Sequence, residues 1–167
     1  MKIYMKKLFP KYIKGILILI PLLLLTTCKT VLPETNNSEK NIAFHELITN
    51  SHSNFTEQRN LIIDSRELLE EIFATINSTR KPGIPIPKID FENESVAFIN
   101  MGETSTGGHS VAVTEIIETE DKIVIYFEGK GPKAGENATM VITSLFTMVK
   151  FEKQTKPVVF EWILNRK

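Results

Sequence analysis

Read for the alternation of hydrophobic and polar positions, the chain falls into one leader and a series of short segments. Ile16 to Leu25 is an unbroken apolar run apart from Pro21, preceded only by basic and apolar residues. After it, Ile42 to Ile48 alternates but holds His45 and Glu46, which predicts an edge strand, followed by a polar turn region from Thr49 to Thr56. Arg59 to Ile63 predicts a second short strand. Leu68, Leu69, Ile72, Phe73 and Ile76 then repeat at helical spacing. Asp64 or Ser65 is placed to cap that helix, and Glu67 stands three residues after Asp64 as in a capping box. No other segment is helical enough to receive this stripe, so it is expected to pack on a sheet.

Asn77 to Lys88 contains Pro82, Pro85 and Pro87, which hold the chain extended and keep it out of a central sheet. It delivers Ile89-Asp90-Phe91 to a strand at Ser95 to Asn100. Asp90 reads as a turn or capping carboxylate, because no second acid or histidine lies at a spacing that would pair with it. From Asn100 to Val113 the chain reads Asn-Met-Gly-Glu-Thr-Ser-Thr-Gly-Gly-His-Ser-Val-Ala-Val, a glycine-bearing connection expected to join two strands of one sheet. The second of these, Ser110 to Ile117, should form a hairpin with Lys122 to Glu128 through the acidic turn Glu118 to Asp121. Gly129 to Asn137 reads as a loop, and Ala138 to Ile142, Phe146 to Phe151 and Val158 to Ile163 as further strands. Short strands, tight turns and one early helix predict the α+β class, a mostly antiparallel β sheet or flattened barrel with the helix packed on it.

The central connection resembles the PrcB C-terminal domain family, small exported bacterial domains named after a subunit of a secreted protease complex. The residues that carry the resemblance are Ile89-Asp90-Phe91, Val96 to Gly102 and Thr106-Gly107-Gly108-His109-Ser110-Val111, where His109 stands at the family's Tyr. It continues through Ile123 to Glu128 and Thr143-Ser144-Leu145-Phe146, where the family's late proline is missing, and covers Phe44 to Lys153. The resemblance implies a binding and assembly module that associates with an exported protease complex. On that basis Thr106, Gly107, Gly108, His109 and Ser110 form the expected partner-binding loop. A Gly-Gly loop is otherwise most often a plain turn. Gly108→Val or His109→Ala is expected to weaken partner capture while leaving the melting temperature nearly unchanged.

Charge and cysteine usage change the picture of where the chain resides. The 167 residues hold 20 basic and 20 acidic groups; five of the basic ones lie in the first 27 residues, which leaves 15 basic against 20 acidic from Cys28 onward. A mildly acidic domain offers no basic track for a phosphate backbone, which argues against nucleic acid. Five lysines before a short apolar run, then Leu25-Thr26-Thr27-Cys28, resemble a bacterial lipoprotein signal, with residues 1–27 removed and Cys28 lipidated. Thr27 departs from the small residue more common before the cysteine. Cys28 is the only cysteine, so no disulfide framework or thiolate metal site is expected. Residues 28–40 read as a solvated tether and 41–167 as a single domain. The chain is therefore expected in the bacterial cell envelope, held at a membrane through Cys28.

Catalytic chemistry finds little to stand on. His45, His52 and His109 show no metal-ligand spacing. Ser110, His109 and Asp90 cannot form a triad from one strand, because adjacent strand residues point to opposite faces. Gly102 to Gly108 lacks the ending of a nucleotide loop. No catalytic residue, metal or cofactor is expected, and the chain is read as not an enzyme. Two alternatives stay beside the assembly module. One is an inhibitor of cysteine peptidases, since a Thr-Gly loop is similar to that of the chagasin family, although Trp162 follows Glu161 and that family's Arg-Pro-Trp is absent. The other is an envelope ligand-binding domain.

Overall fold

In the computed structural model the residues described are 39–132, 135 and 138–163. The chain divides after Asn36, and these residues belong to the second unit, Asn37–Lys167. The expected signal peptide and Cys28 lie outside the described residues.

Among the described residues eight strands and one helix follow in order: β1 (Lys40–Asn41), β2 (Phe44–Asn50), β3 (Arg59–Ile63), α1 (Arg66–Ile76), β4 (Glu94–Thr104), β5 (Ser110–Glu118), β6 (Ile123–Lys130), β7 (Thr143–Glu152) and β8 (Val158–Trp162). They form two four-stranded sheets, ordered β1-β5-β6-β8 and β2-β7-β4-β3. All neighbours are antiparallel except β6 and β8, which run parallel. The class expected from the sequence is the class found, as two open sheets and not a closed barrel.

The sheets stack because β4 and β7 are apolar on both faces. Along β4, Ala97 and Ile99 join the core between the sheets, with Ile116, Ile125 and Phe127 opposite them. The alternate residues Val96 and Phe98 face α1, packing with Leu69, Ile72, Phe73 and Ile76. Likewise Leu145, Val149 and Phe151 of β7 enter the first core, and Phe146 and Met148 the second. A strand buried on both sides reads as a near-continuous apolar run, which is the pattern of both segments.

The helix stripe packs on the β2-β7-β4-β3 sheet as expected, but its cap is Ser65 alone. Ser65 is extended, and its hydroxyl accepts from the Leu68 backbone N–H at 3.3 Å. With Ser65 at the cap, Glu67 is one residue too early to reach back, so the predicted box does not form. The proline segment stays outside the sheets and lays Ile84, Ile86, Ile89 and Phe91 against the helix-side core.

Two strand assignments differ from the sequence reading. β4 and β5 lie in different sheets, so the glycine connection crosses from one layer to the other instead of joining two strands of one sheet. The alternation of β4 could not reveal this, because each of its faces is buried against a different layer. Ala138 to Ile142 forms no strand: the segment lies just ahead of β7, and Met140 and Ile142 are 85% and 64% exposed. Its apolar character reflects a surface, not a ladder.

Candidate functional site

β4 runs four residues beyond the expected Asn100, to Thr104. Its register shifts between Asn100 and Glu103, and this bulge re-aims the strand end toward the other sheet. Asn100 is fully buried and anchors the turn, accepting from the Ser53 hydroxyl at 2.6 Å and donating to the Glu57 carbonyl at 2.8 Å. The crossing loop is therefore Ser105 to His109.

Within that loop the Thr106 hydroxyl lies 2.9 Å from His109 Nε2. The Thr106 carbonyl accepts from the hydroxyls of Thr104 and Thr143, both at 3.1 Å. Gly107 donates its N–H to the Thr139 carbonyl at 2.9 Å, tying the loop to the segment that leads into β7. Gly108 has φ of +80°, and a Cβ there would meet Pro132 Cγ at 3.3 Å. Valine at this position is strained whatever the partner does, so Gly108→Val does not leave the fold untouched as the sequence suggested. His109→Ala carries no such backbone penalty.

Thr106, Gly107, Gly108, His109 and Ser110 thus do lie together, at the end of the sandwich where β4, β5, β6 and β8 converge. Behind them a recess of about 220 Å³ opens between the sheets, lined by Met101, His109, Gly129, Lys130, Leu145 and Trp162 among others. Trp162 packs edge-on to Phe127, with ring centroids 5.2 Å apart. The sequence reading missed Met101, Leu145 and Trp162, which come from three separate strands.

Both ends of the sandwich carry ion pairs, and the loop end has Lys130–Glu128 at 2.6 Å. Around the loop stand mainly hydroxyls, glycines and the apolar residues Met140, Val141 and Ile142. The opposite end holds the ion pairs Lys150–Glu94 at 2.6 Å and Lys156–Glu118 at 2.8 Å. Asp90 lies at that end too, in the turn before β4, where its carboxylate accepts from the Asn93 side chain and the Glu92 backbone. These bonds, the Asn93 one first, hold its pKa below the usual carboxylate value. It is a turn carboxylate, as read from the sequence, and it sits far from His109 and Ser110. Among the described residues no three His, Cys, Asp or Glu side chains gather as a metal site.

Residues 95–152 match the PrcB C-terminal family. The match runs from the second residue of β4 to the last of β7, so the PrcB C-terminal segment comprises both central strands, the crossing loop, the β5–β6 hairpin and the segment with Met140 to Ile142. It is shorter than the stretch over which the resemblance was read. β2, β3, α1 and β8 lie outside it. No curated protein and no solved structure matches the chain.

Proposed function

We propose that this chain is a lipid-anchored, non-enzymatic binding module that docks on an exported protease or its complex through the loop end of the sandwich. One observation carries the reading: among the described residues the exposed large hydrophobics are Met140, Val141, Ile142 and Trp162, at 85%, 41%, 64% and 37% exposure, and all lie at that end. Apolar side chains gathered on one surface mark a contact for another protein. The PrcB C-terminal match supports the choice of a protease-associated partner.

Within the domain, β1 and the loop lie at opposite ends of β5. Lys40, where the tether joins, pairs with Glu118 at one end of β5, and Ser110 begins the other. Nine strand residues separate the two by about 26 Å at ~3.3 Å per residue. The chagasin-type reading gains no support, because Trp162 lies in β8 and not at a loop tip.

The test is a crosslinking pull-down from intact cells with the full-length chain, the Cys28→Ala variant and a Met140→Ser/Ile142→Ser double variant, read by mass spectrometry. The expected result is an exported protease or its complex with the unmodified chain, and loss of it with the double variant although that variant folds. Equal recovery with the double variant would overturn the assignment of the surface. Recovery of no protein by any form would overturn the binding-module reading and favour a small envelope ligand.

A further inference from the structure

The four sheet edges are not equally protected. β1 is two residues long, β2 changes register between Glu46 and Ile48, and β3 opens with the exposed Arg59 and leads directly into the cap of α1. These are the devices that keep edges from pairing with other chains. β8 has the least protection: Val158-Val159-Phe160-Glu161-Trp162 is regular, has Glu161 as its one charge, and pairs only with β6 among the described residues.

Its backbone polarity can be read from two hydrogen bonds. The Pro157 carbonyl accepts from Ile123 N–H at 2.9 Å, and Ile163 N–H donates to the Phe127 carbonyl at 2.8 Å. Alternate residues of a strand turn their backbone groups the same way, so Val159 and Glu161 also face β6. Val158, Phe160 and Trp162 therefore present their N–H and C=O groups to the open side. Side chains alternate as well. Phe160 packs into the core between the sheets and Trp162 lines the recess, while Glu161 stands on the outer face, exposed, beside Tyr126 and without an ion pair among the described residues.

We infer that the open edge of β8 accepts an extended segment of the protein partner, adding a fifth strand to the β1-β5-β6-β8 sheet. A strand laid there places its inward side chains against Phe160 and Trp162 and an outward one beside Glu161. The chemistry it must bring is alternation: apolar residues inward and a basic residue outward, opposite the Glu161 carboxylate. The excess of acidic groups from Cys28 onward favours the same sign of partner. This deepens the binding-module reading, on which it rests, by naming the form of the partner segment.

Trp162 is the chain's single tryptophan, so its emission reports on this edge and the recess beside it. The full-length chain, held in phosphatidylcholine nanodiscs, is titrated with three octapeptides: alternating Lys and Leu, alternating Glu and Leu, and the Lys/Leu peptide N-methylated at every second residue. The Lys/Leu peptide is expected to shift Trp162 emission saturably, and the N-methylated form to lose binding at least tenfold. Glu161→Lys should weaken the Lys/Leu peptide by about fivefold, the size of one cross-strand charge pair, and make the Glu/Leu peptide the better ligand. Equal binding of the N-methylated peptide would overturn strand addition, as would an unchanged charge preference in Glu161→Lys or no emission shift with any peptide. Concentration-dependent self-association that Glu161→Lys abolishes would name a second copy as the occupant and overturn the partner strand. If a protease is still captured through Met140 and Ile142 while the peptides fail, the binding-module reading stands and only this inference falls.

Discussion

Trp162 lies over Gly129 so closely that a Cβ on the glycine would stand 2.5 Å from the indole Cη2. The contact joins the ends of β6 and β8 and forms one wall of the recess behind the loop. Gly129→Ala is therefore expected to push the indole aside at a cost of about 1–3 kcal/mol, the range for overpacking a filled site. Its measure is the denaturant midpoint together with a change in tryptophan emission. An unchanged midpoint with altered emission would mean that the indole is free to move without loss.

Phe98 stands between Phe55 and Phe146, with ring centroids at 5.5 and 5.9 Å, in the core beneath α1. Phe98→Ala should destabilise the domain by about 3–5 kcal/mol, enough to unfold a marginal domain at physiological temperature. Urea unfolding of the two proteins side by side checks this.

Asn54 has φ of 63° and donates its side-chain amide to the carbonyls of Thr75 and Ile76 at 3.1 and 2.9 Å. These are carbonyls of the last helical turn, which have no partner within the helix. Asn54→Ala should lose about 1–3 kcal/mol through the lost side-chain hydrogen bonds and the left-handed backbone together. Asn54→Gly should recover the backbone part alone, so its melting temperature is expected between the other two.

Glu94 and Glu118 are held below the usual glutamate pKa, first of all by the side-chain hydrogen bonds from Lys150 and Lys156 respectively. A carboxylate whose pKa is depressed by folding adds stability above its unfolded value, near pH 4.3, and loses it as pH falls through the folded value. Melting temperature should therefore drop as pH is lowered past about 4. A Lys150→Met/Lys156→Met double variant should lose less over that window, because its glutamates titrate closer to their unfolded values. A parallel fall in both proteins would assign the acid sensitivity to other groups.

His109→Ala removes the 2.9 Å contact with Thr106 and one wall of the recess, without touching either main core. Its melting temperature should stay within a few degrees, the range for a change outside the core of a domain this size. Partner capture should fall. Unfolding of this variant would make the loop a structural element only.

The sequence by itself determined what depends on local periodicity and local chemistry. The helix from Arg66 to Ile76, the β5–β6 hairpin around its acidic turn, the proline segment that stays out of the sheets and Asp90 as a turn carboxylate all follow from spacings of a few residues. The run Thr106 to Ser110 could be singled out for the same reason, since a Gly-Gly pair between apolar runs is visible in one dimension. Only the tertiary structure decided which layer each strand joins. Val96 to Asn100 is buried on both faces, and such a run gives no sign of whether its neighbour in sequence lies beside it or across the core. Met140 to Ile142 shows the same limit from the other direction: an apolar segment reads as a strand until the chain proves to give it no partner. The recess and the open edge of β8 were beyond the sequence altogether, because Met101, Leu145 and Trp162 meet through long-range pairing, and an edge is defined by what does not lie next to it.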